Sequence, residues 1–279
     1  MFVRDGGIAD VHHSSSQFDV HGRFSVPRSP QGHPVLIQAG DSAEGRDFAA
    51  ATADAIFTLH GSYDAGRDFY ADVKGRAVRH GRRPEDLLVL PGATFVLGDT
   101  DADAADRAVE VRRAQVGPQT AIAFLEQIWG RDLSGYDADG PLPAIDPDVD
   151  NVSITRGRVR HARDPRTVAQ EWRDLAAAKG GLSIRETVIE ATSRTSFIGS
   201  ARTVAAELDR YVQGDACDGF ILIPHLTPGG LDAFADTVVP ELQDRGSLRT
   251  EYTGTTLREN LGLRPTARPA TDTTRRTSA

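Results

Sequence analysis

Cysteine is almost absent from this sequence, where Cys217 is the single example. One thiol excludes an internal disulfide framework and a thiolate metal cluster. Cys217 stands just before an apolar stretch at 220–224, so we expect it to be a small buried residue.

Long hydrophobic runs are also missing. No stretch reaches the roughly 18 consecutive apolar residues that a membrane span requires. The N-terminus carries Asp5 and Asp10 and has no apolar segment typical of a signal peptide. The net charge is −8, with acidic and basic residues interleaved, which argues against nucleic acid or an anionic membrane as a partner. A cytoplasmic location is expected.

Several well-known site motifs are absent. The eight histidines show no His-x-x-x-His or His-Glu-x-x-His spacing, so we predict no metal site. There is no phosphate-binding loop ending in Gly-Lys-Ser/Thr, no G-x-G-x-x-G fingerprint and no G-x-S-x-G elbow. We assign no function to His12 and His13, and interpret Asp101 and Asp103 as solvated residues at a helix start. His225 follows a predicted strand, and is either a loop histidine or part of a site at that strand's carboxyl end.

Hydrophobic residues make up 39% of the 279 residues, enough to bury a core. Short apolar runs of the kind found in buried strands alternate with segments of helical periodicity. This order is typical of an α/β fold with a parallel sheet. Strands are predicted at 34–40, 54–59, 87–98 and 218–224, and the first helices at about 41–53 and 62–79.

Local capping signals predict where other helices begin. Hydroxyl side chains precede amphipathic segments at Thr100, Ser183 and Ser200, and Glu186 completes a capping box with Ser183. Asp164-Pro165 and Thr227-Pro228 are further predicted helix starts.

The predicted elements divide the chain into three parts: an irregular segment at 1–30, an ordered body at 31–263 and a disordered tail at 264–279. Within the body, residues at about 118–193 are predicted to be a helical insertion before the last strand. The body contains about half the strands of a closed eight-stranded barrel.

The turn Gln38-Ala39-Gly40-Asp41-Ser42 joins the first predicted strand to a helix. Small residues allow close backbone approach, and a helix N-terminus with a hydroxyl group can hold a phosphate. The same turn is also explained by helix capping alone. The carboxylate of Asp41 would repel a phosphate unless its side chain turns away.

Several ordered segments resemble one family. They are GRFSVPRSPQGHPVLIQAGDSAEGRDFAAATADAIFT, LLVLPGATFVLGDTDADA, GRDLSGYDADGPLP, SFIGSARTVAAELDRYV and DGFILIPHLTPGGLDAFADTVVPELQDRGSLRTEYTGTTLRENLGL. Together they resemble the flavin-dependent monooxygenase group of nitrilotriacetate, alkane and dibenzothiophene-sulfone monooxygenases, in the bacterial luciferase-like superfamily. The resemblance runs from about Phe18 to about Leu263.

The resemblance implies an α/β fold, a TIM-like (β/α) barrel of the luciferase-like type. It implies a monooxygenase that uses reduced FMN and O₂ on a small organic substrate, receives its flavin from a separate NAD(P)H-dependent reductase, and forms a homo-oligomer. It assigns Ala39, Gly40, Asp41 and Ser42 to the phosphate end of FMN.

Family members are longer, and their first four strands have no counterpart in this sequence. The resemblance therefore implies a partial barrel, from a truncated chain or one half of an enzyme, and we name no catalytic residue. Two alternatives stay open: a non-catalytic flavin-binding or interaction subunit, and an oxidoreductase that uses a deazaflavin.

Overall fold

A computed structural model of the chain describes residues 8, 10–23, 26, 28–60, 62–149, 164–192 and 196–266. The chain divides into two units. The first consists of residues 1–58, 71–89 and 249–279, and the second of residues 59–70 and 90–248.

The first unit contains a parallel strand–helix–strand segment. Strand β3 (Ile37–Ala39) leads through helix α1 (Ala43–Thr52) to strand β4 (Ala55–Thr58). Ile37 pairs with Ala55 and Ala39 with Phe57. Helix α1 buries Ala49 and Ala50, whereas Phe48 of the same helix is 59% exposed.

One further helix and one further strand contribute residues to this unit, and each also has residues in the second unit. Helix α2 (Tyr63–Arg79) contributes residues 71–79, where Val73 and Ala77 are fully buried. Strand β5 (Leu88–Leu97) contributes its first two residues, and the Leu88 N–H donates to the Asp54 carbonyl oxygen at 2.9 Å. The predicted strand–helix order is confirmed here.

Residues 10–23 form a hairpin, so the prediction of an irregular segment over 1–30 is wrong in this part. Strand β1 (Asp10–Ser14) pairs antiparallel with strand β2 (Asp19–Arg23). Every residue of both strands is exposed, so neither face carries the apolar alternation by which a strand is recognised in sequence.

The second unit contains the rest of β5, which pairs in parallel with two later strands. Strand β6 (Ser196–Gly199) lies beside residues 94–97, and strand β7 (Ile221–Leu222) beside residues 92–93. Helix α3 (Asp101–Gln115) follows β5, and helix α7 (Ala201–Gln213) follows β6. Apolar residues of α7 pack with Ala93 and Phe95 of β5 in one core cluster, which also includes Cys217.

Three helices of the second unit form a separate core cluster. They are α4 (Pro118–Trp129), α5 (Pro165–Ala178) and α6 (Ile184–Thr192). Trp129 is fully buried, its indole N–H donates to the Ile145 carbonyl oxygen at 2.8 Å, and it packs against Trp172. These helices fall within the predicted insertion at 118–193, whose status as an insertion stays a prediction.

The predicted helix starts agree with the structure at most positions. Thr100, Ser200 and Asp164 cap α3, α7 and α5. Ser183 and Glu186 exchange capping hydrogen bonds at 2.9 and 3.2 Å.

Thr227-Pro228 does not open a helix, and that prediction is wrong. Residues 227–231 form turns, a π-helical segment follows at Phe234–Val238, and helix α8 covers Val239–Asp244. Pro240 stands in the first turn of α8, directly after the π-helical segment. The Pro ring removes a backbone donor there, and residues 232–244 nonetheless form an uninterrupted helical run that changes from π to α at Val239.

The C-terminal part of the first unit ends with a short helix, α9 (Leu257–Asn260). The Thr266 hydroxyl donates to the Gln31 carbonyl oxygen at 3.0 Å. The predicted tail at 264–279 is therefore ordered at its first residues, and its remainder, 267–279, lies outside the described residues. Among the described residues, no helix has the length and apolar character needed to cross a membrane.

Candidate cofactor site

The turn at 38–42 lies at the carboxyl end of β3, where α/β folds place their ligands. Ser42 has extended backbone angles, and its hydroxyl oxygen accepts a hydrogen bond from the Gly45 N–H at 3.0 Å. Ser42 is therefore the N-cap of α1. Its hydroxyl hydrogen is still free to donate, since capping uses only the oxygen as acceptor.

Two glycines bring the turn close to the first turn of α1. A Cβ atom at Gly45 would lie 3.2 Å from the Cα and carbonyl carbon of Gly40. A Cβ atom at Gly40 would lie 3.3 Å from the Cα of Gly45 and 3.1 Å from Nε2 of Gln38. All of these distances are shorter than ordinary contacts of a Cβ atom. Glycine at positions 40 and 45 therefore allows the turn to fold against the helix start.

The carboxylate of Asp41 is directed to an arginine. Arg46 donates from its Nη2 to Oδ1 of Asp41 at 2.8 Å and from its Nε to the Asp41 carbonyl oxygen at 3.0 Å. The guanidinium offsets the negative charge that would otherwise oppose an anion beside Ser42.

Arg46 is also held in place by an ion pair with Asp72. Its Nη1 donates to Oδ2 of Asp72 at 3.2 Å, and Oδ1 of Asp72 accepts from Nε of Arg76 at 2.9 Å. Burial alone would raise the pKa of Asp72, but the hydrogen bonds from Arg76 and Arg46 outweigh it and lower the pKa. Arg76 also donates to the Ala43 carbonyl oxygen at 3.3 Å, so this network holds both sides of the helix start.

These features make the turn suitable for a phosphate group. The N–H groups of the first helical residues, Ala43 and Glu44, have no acceptor within their own helix. They add to the partial positive charge at the N-terminus of α1. The positive end of the helix, the Ser42 hydroxyl and the compact backbone at Gly40 can together bind a dianion. Ala39, Gly40, Asp41 and Ser42 form this turn, and their contact with a phosphate stays a prediction.

The second unit contains a cavity of about 300 Å³ at the carboxyl ends of its strands. Its walls include Thr94 of β5, Ile198 of β6 and Ile223 beside β7, and residues of α3 line another side. His225 lines this cavity, and its Nδ1 lies 3.3 Å from the Phe95 carbonyl oxygen. The structure thus places His225 in a cavity wall.

Two polar residues of α3, Arg112 and Gln115, also line the cavity. Sequence reasoning missed them, because on an amphipathic helix they are indistinguishable from solvated residues. Arg112 is half-buried and is a basic residue among those that line this mainly apolar cavity.

The two aspartates at the start of α3 have different partners. Asp103 accepts from the Asp99 N–H at 3.0 Å, in agreement with a role at the helix start. Asp101 instead accepts from the Ser200 N–H at 2.8 Å and the Thr203 hydroxyl at 3.1 Å. These hydrogen bonds lower the pKa of Asp101 and join the start of α3 to the start of α7. Asp101 is exposed at a helix start, as interpreted from the sequence, and its hydrogen bonds to the start of α7 are an additional role that the sequence did not indicate.

Comparison with known proteins places these features in a family. Residues 7–216 match the family described as luciferase-like monooxygenase. The chain is 35% identical to the N-acetyl-S-(2-succino)cysteine monooxygenase of Bacillus subtilis (strain 168), covering 91% of this chain and 55% of the relative. It is 37% identical to nitrilotriacetate monooxygenase component A of Aminobacter aminovorans, covering 93% of this chain and 54% of the relative.

A solved structure agrees with this relationship. Riboflavin lyase, crystallised with modified FMN and riboflavin, is 25% identical and superimposes with a TM-score of 0.66, covering 94% of this chain and 55% of the other. The chain spans about half the length of the curated relatives it matches. The chain belongs to the luciferase-like monooxygenase family.

Proposed function

We propose that this chain carries the FMN phosphate site of a flavin-dependent monooxygenase that acts on a small organic substrate with O₂. The observation that carries the proposal is the turn at 38–42, where a capping serine, a compact glycine pair and a helix N-terminus meet. A separate NAD(P)H-dependent reductase is proposed to supply the reduced flavin. The chain is further proposed to form a homo-oligomer.

Each residue of the turn has a proposed task. The Ser42 hydroxyl and the N–H groups of Ala43 and Glu44 donate to phosphate oxygens, and Ala39 and Gly40 leave room for the phosphate beside the backbone. Asp41 keeps Arg46 in place while its charge is offset by that arginine. When bound, reduced FMN supplies the electrons that O₂ needs for transfer of one oxygen atom to the substrate.

The names of related proteins support this choice of reaction. The relatives from Bacillus subtilis and Aminobacter aminovorans are both named monooxygenases, and the latter is named component A. A component A requires another component, in keeping with a separate reductase. The choice of FMN is supported by the modified FMN in the riboflavin lyase structure.

Comparing FMN with riboflavin tests the phosphate site, because the two differ only by the phosphate. We expect the purified chain to quench FMN fluorescence on binding and to bind FMN more tightly than riboflavin. Ser42→Ala should weaken FMN binding about tenfold, since one charge-assisted hydrogen bond is lost. It should leave riboflavin binding nearly unchanged.

Ser200→Ala is the matched control. Ser200 caps α7 as Ser42 caps α1, so both substitutions should cost about 1 kcal/mol of stability, but only Ser42→Ala should affect FMN. Equal affinity of the unsubstituted chain for FMN and riboflavin, or an equal effect of both substitutions on FMN, would refute the phosphate site.

The type of reaction is tested with a flavin reductase, NADH, FMN and O₂. Substrate-dependent O₂ uptake with a sulfone or an aminopolycarboxylate supports the monooxygenase. FMN binding without oxidation of any such substrate favours the non-catalytic subunit. Failure to bind FMN together with binding of a deazaflavin favours the deazaflavin alternative.

A further inference from the structure

The hairpin β1–β2 brings two histidines and an aspartate together on one face. His12 and His21 are direct partners in the antiparallel pairing, and Asp19 lies two residues before His21, on the same face of β2. The imidazole rings stack with centroids 3.8 Å apart and an angle of 18° between their planes.

The atoms of these residues that could bind a metal ion lie close to one another. Nε2 of His12 lies 2.9 Å from Oδ1 of Asp19, and Nε2 of His21 lies 3.5 Å from Oδ2 of the same carboxylate. One ligand atom from each of the three residues can be chosen so that all lie within 4.8 Å of one another.

This spacing is close to that required by a late transition-metal ion. Zinc binds imidazole nitrogen and carboxylate oxygen at about 2.0–2.2 Å, so two tetrahedral ligand atoms are roughly 3.3 Å apart. The three side chains are between 55% and 66% exposed and can make the small rotations that close the remaining gap.

From this arrangement we infer that His12, Asp19 and His21 form a binding site for a divalent transition-metal ion such as Zn²⁺. Two imidazoles and one carboxylate select zinc and its neighbours over Mg²⁺ or Ca²⁺, which prefer all-oxygen ligands. A fourth position is left for water or another ligand.

The surrounding charges on this face do not oppose a cation. Asp10 and Arg23 flank the cluster at one end and form an ion pair at 2.7 Å, and Ser14 lies at the other end beside Asp19. The remaining histidine of the hairpin, His13, pairs with Val20 and is on the opposite face.

Calorimetric titration of the metal-free chain with ZnCl₂ tests the site, with MgCl₂ as the comparison. We expect saturable zinc binding that His12→Ala and His21→Ala each weaken about tenfold or more, because a ligand is lost. His13→Ala is the matched control and should bind zinc as the unsubstituted chain does.

Two results would overturn the inference. One is the absence of saturable zinc binding, and the other is an equal effect of His12→Ala and His13→Ala. If other sites on the chain also bind zinc, His12→Ala should bind one equivalent of zinc fewer than the unsubstituted chain. His13→Ala should bind the same number of equivalents as the unsubstituted chain. All substituted residues are exposed, and an unchanged circular dichroism spectrum verifies that each variant is folded.

Discussion

At the scale of single residues, two side chains of the same type can have different partners because of where the fold places them. Asp41 and Asp101 are both exposed acids near helix starts. Asp41 pairs with Arg46 of its own helix, whereas Asp101 accepts hydrogen bonds from the start of another helix. The capping role of Ser42 could be predicted from local sequence. The partner of Asp101 could not, because it lies about a hundred residues away.

Cys217 gives a prediction at this scale. It is 2% exposed, and burial raises the pKa of its thiol to about 12. The thiolate is the reactive form, so we expect alkylation by iodoacetamide at pH 8 to be at least about a hundredfold slower in the folded chain than in the unfolded chain. Since this is the single cysteine, mass spectrometry reads the rate directly. Comparable rates in both states would contradict the buried position.

At the scale of elements, the structure shows which helices and strands can be predicted from local sequence patterns. Helices with a capping side chain, such as α3 after Thr100, were predictable because the capping oxygen and the backbone N–H that donates to it are neighbours in sequence. Strand β6 was missed because its four residues form only by pairing with β5. The hairpin was missed because its stabilising contacts are polar pairs such as Asp10 with Arg23.

The helical cluster of α4, α5 and α6 gives a prediction at the scale of an element. Leu125 of α4 is fully buried in this cluster, and its neighbour Phe124 is 37% exposed. Leu125→Ala should reduce the free energy of unfolding by roughly 2–5 kcal/mol through a lost side chain and a cavity. Phe124→Ala should cost clearly less. Chemical denaturation of both variants measures the difference, and equal losses would show that α4 does not bury the face described.

At the scale of the whole molecule, distant parts of the chain are joined by a buried ion pair within the first unit. Arg258 of α9 donates from Nη1 to Oδ1 of Asp54 at 2.9 Å and from Nη2 to Oδ2 at 2.5 Å. Arg258 is 4% exposed. The sequence offers no sign of this pairing, since neither residue stands in a recognisable motif. The lining of the cavity by Arg112 likewise depends on tertiary packing.

The ion pair between Arg258 and Asp54 predicts that the stability of the fold depends on pH. Burial alone would raise the pKa of Asp54, but hydrogen bonds from Arg258 and the Leu36 N–H outweigh it and lower the pKa. A carboxylate with a lowered pKa stabilises the fold fully above its unfolded pKa of about 3.9, and this contribution is lost as the pH falls through its folded value. The free energy of unfolding should therefore decrease below about pH 4 in part through Asp54.

Asp54→Asn tests this dependence. The variant should lose roughly 3–5 kcal/mol at pH 7, because Arg258 is left buried without its counter-ion, and its stability should fall less steeply below pH 4. Asp146→Asn is the control, because that carboxylate is 74% exposed in its pair with Arg173 and such pairs contribute at most about 1 kcal/mol. Parallel acid profiles for Asp54→Asn and the unsubstituted chain would exclude the role assigned to Asp54.

The same contact has a consequence for how the chain is made. The first unit is assembled from three separate stretches of sequence, and Asp54 and Arg258 are 204 residues apart. At a translation rate of about 5–20 residues per second, roughly 10–40 s separate the synthesis of these two residues. During that interval the carboxylate of Asp54 has no guanidinium to neutralise it, so this part of the sheet cannot reach its final state on the ribosome until α9 has emerged.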